Sequence, residues 1–288
     1  MPRNRALLAG AQSLLAAGSL PDRARLDAET LLLQVLKRRG EARNRAWLLT
    51  HLDSEAAPDD AAEFDALVKR RLTGEPIQYI VGEAEFYGLP FFVTRDVLIP
   101  RPETEHLVEK ALQLCAQCAD PRILDVGTGS GAIAVALAAH LRDASITATD
   151  ISAAALAVAK RNAQRNGVED RIRFLAGDLL VPVADEHFEM VISNPPYVAE
   201  ADRNMLAVEV REFEPETALF AGGDGLAVYR RLIPAAFASL VSGGFLLLEI
   251  GHGQQDAVGG VLESTGFEAI EFAADLQGIA RVATARRP

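Results

Sequence analysis

The sequence predicts an α/β fold: a Rossmann-like, mostly parallel seven-stranded sheet, with a small N-terminal helical domain joined to it by a β-hairpin. Three observations predict this. From residue 122 onward, apolar strand patterns alternate with helical ones, which means a largely parallel sheet covered on both faces. The first strand runs into a G-x-G-x-G turn at Gly127, Gly129 and Gly131, and ligands of such sheets sit at the carboxyl ends of the strands. Residues 4–73 carry helical periodicity instead, and a chain of 288 residues exceeds the roughly 250 at which single cores stop growing.

Taken in order, a first helix is expected over about 4–17. Arg3 and Arg5 precede the apolar stretch ALLAGAQSLLAAG, which resembles a short signal peptide. Gln12 and Ser13 interrupt it, however, and Leu7, Leu8, Leu14 and Leu15 share a helical face. An amphipathic helix is therefore the preferred reading over a cleaved leader. The next helix begins near Asp22 and carries Leu26, Leu32, Leu33 and Leu36; others cover about 43–50 and 59–72. The last presents Phe64, Leu67, Val68 and Leu72 at three- and four-residue spacing and stops at Gly74 and Pro76. Residues 1–82 thus form a helical domain. Residues 83–100 are rich in aromatic and β-branched side chains broken at Gly-Leu-Pro, the pattern of a β-hairpin linker. Residues 101–288 form the second domain. Its strands are expected at 122–126, 145–149, 171–175, 188–193 and 244–250, with two more at the terminus. Helices are expected at 105–118, 131–141, 152–166, 226–241 and 254–265.

Composition excludes several classes. Nothing approaches the roughly 18 consecutive apolar residues of a membrane-spanning helix, and a cytoplasmic location is expected. The two cysteines, Cys115 and Cys118, lack the second ligand pair of a zinc site. They are read as helix packing in preference to a redox dithiol. Histidines 51, 106, 140, 187 and 252 show no metal-ligand spacing, and no metal is assigned. The net charge of −11 is uneven: residues 1–82 hold 12 basic and 11 acidic side chains, the remainder 17 and 29. Such an acidic second half argues against stable binding of naked nucleic acid, which leans on basic surface. Basic clusters at Lys37, Arg38, Arg39, Arg43 and Arg45, and at Lys69, Arg70 and Arg71, read as solvated helix faces or as a partner-docking surface.

The Gly-rich turn spans Gly127, Thr128, Gly129, Ser130 and Gly131. Glycine lets the backbone turn sharply and approach a ligand, and the following helix N-terminus offers N–H groups to an anion such as a carboxylate. Asp150 ends the second strand, 19 residues after Gly131, where a carboxylate accepts from both ribose hydroxyls; its other reading is a helix N-cap. Asp178 and Leu179 follow the third strand, placed to meet an adenine edge and face. These features serve NAD and S-adenosylmethionine equally.

Asn194, Pro195, Pro196 and Tyr197 follow the strand FEMVIS directly. Two prolines make a rigid segment with carbonyl acceptors and no N–H donors, and Asn194 adds a side-chain acceptor. A planar NH₂ group can donate one proton to the Asn194 oxygen and one to the Pro195 carbonyl, which fixes the nitrogen against a methyl donor. Tyr197 is expected to stack on the planar group and to face a sulfonium cation. The pattern selects S-adenosylmethionine as the cofactor and a planar NH₂ as the acceptor. It also occurs in enzymes that methylate adenine or guanine, so it does not identify the polymer.

With these motifs in place, the chain resembles the release factor glutamine methyltransferase family (the HemK/PrmC type). The resemblance rests on GEPIQYIVGEAEFYGLPFFV at 74–93, VLIPRPETEHLV at 97–108, REFEPETALFAGGDGL at 211–226 and DLQGIARV at 275–282. It implies a class I methyltransferase domain, with Asn194 to Tyr197 at the substrate amide. It also implies that Gly127 to Gly131, Asp150, Leu179 and Asn194 contact the cofactor. The implied partner is a class I peptide chain release factor, methylated on the glutamine of its Gly-Gly-Gln motif by a monomeric enzyme whose helical domain grips the protein. A sister family acting on a ribosomal protein, which carries serine in the segment Pro100 to Thr104, is the neighbouring alternative. Nucleic-acid amino-methylation and a non-enzymatic binding protein are more distant ones. Arg101, Glu103 and Thr104 are read either as the active-site entrance or as a helix cap. Phe213, Glu214 and Pro215 are read as a peptide groove or a packed loop, and Gly222, Gly223 and Gly225 as a turn before a helix.

Overall fold

Helical periodicity in the first eighty residues folds as α1 (Asn4–Ala16), α2 (Ala24–Lys37), α3 (Arg45–Thr50), α4 (Pro58–Leu72) and α5 (Ile77–Val81). The structure is a computed structural model that describes residues 1–18, 21–37, 44–116 and 118–288. It divides into two units: Met1–Gly82 with Val208–Phe213, and Glu83–Ala207 with Glu214–Pro288.

In the first unit, Leu31, Leu32, Val35 and Leu36 of α2 pack with Ala11, Leu15, Leu48, Phe64, Leu67 and Val68. Three expected core positions differ, Leu72 near the end of the domain being one of them, exposed on α4. Leu14 and Leu26 are half exposed, because the buried stripe runs through Ala11 and Leu15 on α1 and through Ala28 and Leu32 on α2. Proline begins α4, where a missing N–H costs nothing. Asn44 caps α3 by accepting from the Trp47 N–H at 2.9 Å. The helix expected from residue 43 thus begins at Arg45; Arg38, Arg39 and Arg43 of the basic cluster lie outside the described residues. The second basic cluster is internally paired. Lys69 meets Asp65 at 2.6 Å and Arg70 meets Glu75 at 2.8 Å. Buried Arg71 meets Asp27 at 2.7 Å and Glu209 at 2.8 Å.

The second unit opens with a hairpin, β1 (Glu83–Phe86) and β2 (Leu89–Phe92). It is shorter than the expected 83–100, and its turn is Tyr87–Gly88, with φ of +51° and +71°. Leu89 and Pro90 therefore lie in a strand. Then follow α6 (Pro102–Cys115), β3 (Arg122–Val126), α7 (Ala132–His140), β4 (Ser145–Asp150), α8 (Ala153–Arg165), β5 (Ile172–Ala176) and β6 (Phe188–Ser193). The chain continues through α9 (Val208–Phe213), α10 (Ala227–Ser239), β7 (Leu240–Glu249), α11 (Gln255–Thr265), β8 (Glu268–Ala274) and β9 (Ala280–Arg286). Cys115 is buried, and burial pushes its thiol up to about 11. Cys118 is exposed beyond the end of α6, so only the first cysteine serves packing.

The seven strands order as β5-β4-β3-β6-β7-β9-β8. Those from β5 to β7 are parallel, and β9 runs antiparallel to both of its neighbours, β7 and β8. Strand residues alternate between two cores, as a period of two requires. Ile123, Met190, Ile192 and Leu247 face α6 and α7. Leu124, Val191, Leu246 and Leu248 face α10 and α11. Among the described residues no helix is long and apolar enough to cross a membrane.

Candidate active site

From β3 the chain moves outward to β4 and β5, then returns to place β6 on the other side of β3. Such a reversal opens a crevice at the carboxyl ends of the strands. The two strand ends are tied together, because Ser193 Oγ donates to the Val126 carbonyl at 2.6 Å. The Gly-rich turn and residues 194–197 leave from these neighbouring ends.

A cavity of about 380 Å³ lies there, within the roughly 300–1,000 Å³ of small-molecule sites. Gly127, Thr128, Gly129, Ser130, Asp150, Asp178, Leu179 and Asn194 all line it, joined by Ile151, Arg101, Thr104 and Pro196. Most residues singled out from sequence as cofactor contacts are thus brought to one wall. Gly131 is not. It has φ +81°, and a Cβ there would lie 3.1 Å from the Ala159 Cβ, so this glycine lets α7 and α8 approach.

The turn is more self-contained than its sequence suggests. The N–H groups of Gly127 and Thr128 donate to the Thr149 carbonyl at 2.9 and 3.0 Å, and that of Gly131 donates to the Thr128 carbonyl at 2.8 Å. Asp150 accepts from the Gly129 N–H and the Ser152 N–H, both at 2.8 Å. The capping role weighed for Asp150 belongs to Ser152, whose hydroxyl accepts from the Ala155 N–H at 3.1 Å. Asp178 accepts from the Arg231 guanidinium. Leu179 holds φ +49°, a backbone conformation that costs a non-glycine residue energy.

Behind the turn, Asp125 is fully buried. Burial pushes its carboxyl up to about 7, against hydrogen bonds from the Thr128 hydroxyl and the Ala134 N–H, with Asp150 adding to the rise. Buried Asn162 of α8 donates to the Ser130 carbonyl at 2.8 Å and to the Phe92 carbonyl at 3.0 Å. It joins the turn to the hairpin. Neither residue was singled out from sequence, where each reads as an ordinary polar residue in a strand or helix.

Asn194 Nδ2 donates to Thr104 Oγ1 at 3.0 Å, and Thr104 Oγ1 donates to Glu249 Oε2 at 2.5 Å. The Tyr197 hydroxyl donates to Glu249 Oε1 at 3.3 Å. Glu249, the last residue of β7, is 2% exposed. Burial raises its carboxyl above the ordinary range, opposed by the bonds from Thr104 and Tyr197, with Glu103 raising it further and Arg281 lowering it. Sequence gave no sign of this residue. Pro195 and Tyr197 do not line the cavity. The Tyr197 ring packs against the core that contains Tyr229 and Leu248, and burial with nearby Glu249 raises its phenol. Tyr197, expected to stack on the planar group, is thus half-buried against this core and not on the cavity lining.

The capping reading fails for Arg101 and Thr104. Arg101 is the N-cap residue of α6 yet makes no side-chain cap. It donates instead to both carboxylate oxygens of buried Glu214, at 2.6 and 2.7 Å. Pro215 lines the cavity, whereas Phe213 closes α9 in the other unit. Gly225 has φ +74°, and a Cβ there would meet the Tyr197 carbonyl oxygen at 2.4 Å. That turn is packed onto the 194–197 segment.

Residues 5–82 match the PrmC N-terminal domain family and residues 104–241 the Methyltransferase small domain family. A release factor glutamine methyltransferase of Cereibacter sphaeroides is 44% identical over 285 residues, covering 98% of both chains. One from Geobacter sulfurreducens is 43% identical over 265 residues, covering 92% of this chain and 90% of its own. Among solved structures, the T. thermophilus 16S rRNA methyltransferase RsmC, in complex with AdoMet and guanosine, superposes with a TM-score of 0.53 at 17% identity. It covers 72% of this chain and 50% of its own, a likeness of fold.

Proposed function

The chain belongs to the release factor glutamine methyltransferase family, and on that premise we propose that it methylates the side-chain amide nitrogen (N5) of the glutamine in the Gly-Gly-Gln motif of peptide chain release factors. Its cofactor is S-adenosylmethionine, and the residues present fit that group. A Gly-rich turn, a carboxylate at the end of β4 and the apolar Ile151 and Leu179 share one cavity of about 380 Å³. Asp150 would hold the ribose hydroxyls. Asp178 and Leu179 would meet the adenine. Ser130 and Ala132, which line the cavity near the start of α7, would receive the carboxylate. When bound, the cofactor supplies an electrophilic methyl group on a sulfonium sulfur.

The observation that carries the reading is the setting of Asn194. Its amide opens on the cofactor cavity while its NH₂ is committed to Thr104 at 3.0 Å. The side-chain oxygen is then the end available to an incoming NH₂ group, and the Pro195 carbonyl would be the second acceptor on a segment that two prolines make rigid. An amide nitrogen is a poor nucleophile, so orientation and two acceptor dipoles must carry much of the barrier reduction. Tyr197 serves by anchoring the end of this segment on Glu249. The helical unit of residues 1–82 would dock the protein substrate.

Methyl transfer to an unmodified release factor, followed with labelled cofactor, tests this assignment. Asn194→Ala is expected to lower turnover by roughly 10²–10³-fold, the scale of losing one polar group aimed at developing charge, with cofactor binding partly kept. Wild-type turnover in the variant would refute it.

A further inference from the structure

The 194–197 segment is tied at both ends to a single carboxylate. Glu249 accepts the Thr104 hydroxyl proton on one oxygen at 2.5 Å and the Tyr197 hydroxyl proton on the other at 3.3 Å. From α10, the Tyr229 hydroxyl donates to the Glu249 main-chain carbonyl at 2.7 Å, which fixes the end of β7. Thr104 is itself 4% exposed, so water does not stand in readily for these partners.

The chemistry of this chain has a direction. An ionised carboxylate only accepts, and a threonine hydroxyl has one proton to give. With that proton committed to Glu249, Thr104 Oγ1 can only accept on its other side. Asn194 must then present Nδ2 to Thr104, and its oxygen is turned the other way. Were Glu249 to gain a proton, it could donate to Thr104, Thr104 could donate to Asn194, and the amide would be free to flip. An NH₂ group would then confront the substrate NH₂, donor against donor.

We propose that Glu249 is a positioning residue that sets, through Thr104, which end of the Asn194 amide faces the methyl-accepting nitrogen. The inference rests on the reading that the Asn194 oxygen receives the substrate amide. Charged and titratable groups face Glu249 from several elements. Glu103 on α6 opposes its ionisation and Arg281 on β9 favours it. Tyr197 and Tyr229 contribute hydroxyls. Turnover should consequently fall as pH drops through the raised range of the Glu249 carboxyl, because the protonated form no longer fixes the amide.

The test compares the full chain with Glu249→Gln and Glu249→Leu, measuring turnover on a release factor against pH and cofactor affinity by calorimetry. NMR follows the Glu249 carboxyl carbon and the Asn194 side-chain NH₂ through the same pH range. Glutamine can still offer Thr104 an acceptor oxygen. Its turnover should stay within about tenfold of the full chain and lose the acid limb, while leucine should cost about 100-fold or more at unchanged cofactor affinity. The Asn194 NH₂ signals should move with the midpoint of Glu249. Wild-type turnover in Glu249→Leu, parallel loss of turnover and cofactor affinity in both variants, or Asn194 signals indifferent to Glu249 would overturn the proposal. If Glu249→Leu does not fold, the glutamine variant and the NMR titration decide. Should the full chain leave release factors unmethylated, the functional reading fails separately, and the NMR comparison still decides the role of Glu249.

Discussion

Asp125 carries the clearest consequence at the scale of one residue. Its carboxyl stands at about 7 chiefly because it is fully buried, and its Oδ1 has no hydrogen-bond partner. A folded pKa above the unfolded one means that the fold favours the protonated form. The stability it contributes is therefore complete below the ordinary carboxylate range and is lost as pH rises through about 7. Asparagine at this position keeps an acceptor for Thr128 and Ala134 without the buried charge. Asp125→Asn in the cofactor-free protein should melt above the wild type at about pH 8 and level with it near about pH 4. Thermal unfolding at the two pH values checks this, and an unchanged difference between them would contradict it. Residues of this kind show the limit of reading a sequence. Asp125 looks like the polar end of an apolar strand, and Glu249 like one more residue of LLLEI. Their burial and partners depend on Thr104, Thr128 and Ala134, which reach them only through the fold. Asn194 and Asp150 were legible because each directly follows or ends an apolar strand that must deliver it to the sheet's carboxyl edge.

Among elements, the parallel strands were the most legible, since residues buried on both faces read as continuous apolar runs. Strand β5 starts one residue later than expected and α6 begins at Pro102, differences of the kind that frayed ends produce. The hairpin begins where it was expected but ends at Phe92, short of residue 100, and its turn lies elsewhere. Tyr87 and Gly88 both take positive φ, and tyrosine gives no hint of that conformation. The destination of α9 was hidden as well. Its Glu209 lies 2.8 Å from Arg71, which also meets Asp27 at 2.7 Å, so one buried guanidinium links α2, α4 and α9. Removing one partner of a buried ion pair leaves the other charged and dry. Arg71→Ala should cost about 3–5 kcal/mol, measured by denaturant unfolding of the full chain. A loss below about 1 kcal/mol, the value of an exposed pair, would show that Arg71 is not the link.

At the scale of the whole molecule, an acidic methyltransferase unit accompanies a helical unit of near-neutral charge. Sheet order alone brings the Gly-rich turn, Asp150 and Asn194 to one cavity, although 67 residues separate Gly127 from Asn194. The alternation of strands and helices was sufficient to anticipate that convergence. It could not reveal the layer beneath, in which Asn162 holds the turn and Glu249 holds Asn194. Nor does the cavity distinguish a glutamine amide from the amino group of a base, because both are planar NH₂ groups. Substrate identity must be read from the product. The most direct measurement is mass spectrometry of the Gly-Gly-Gln peptide from an unmodified release factor incubated with this protein and S-adenosylmethionine. The glutamine is expected to gain the mass of one CH₂, located on its side-chain nitrogen, and Asn194→Ala to slow that gain by roughly 10²–10³-fold. An unmodified glutamine, with methyl groups found instead on a ribosomal protein or on nucleic acid, would contradict this assignment.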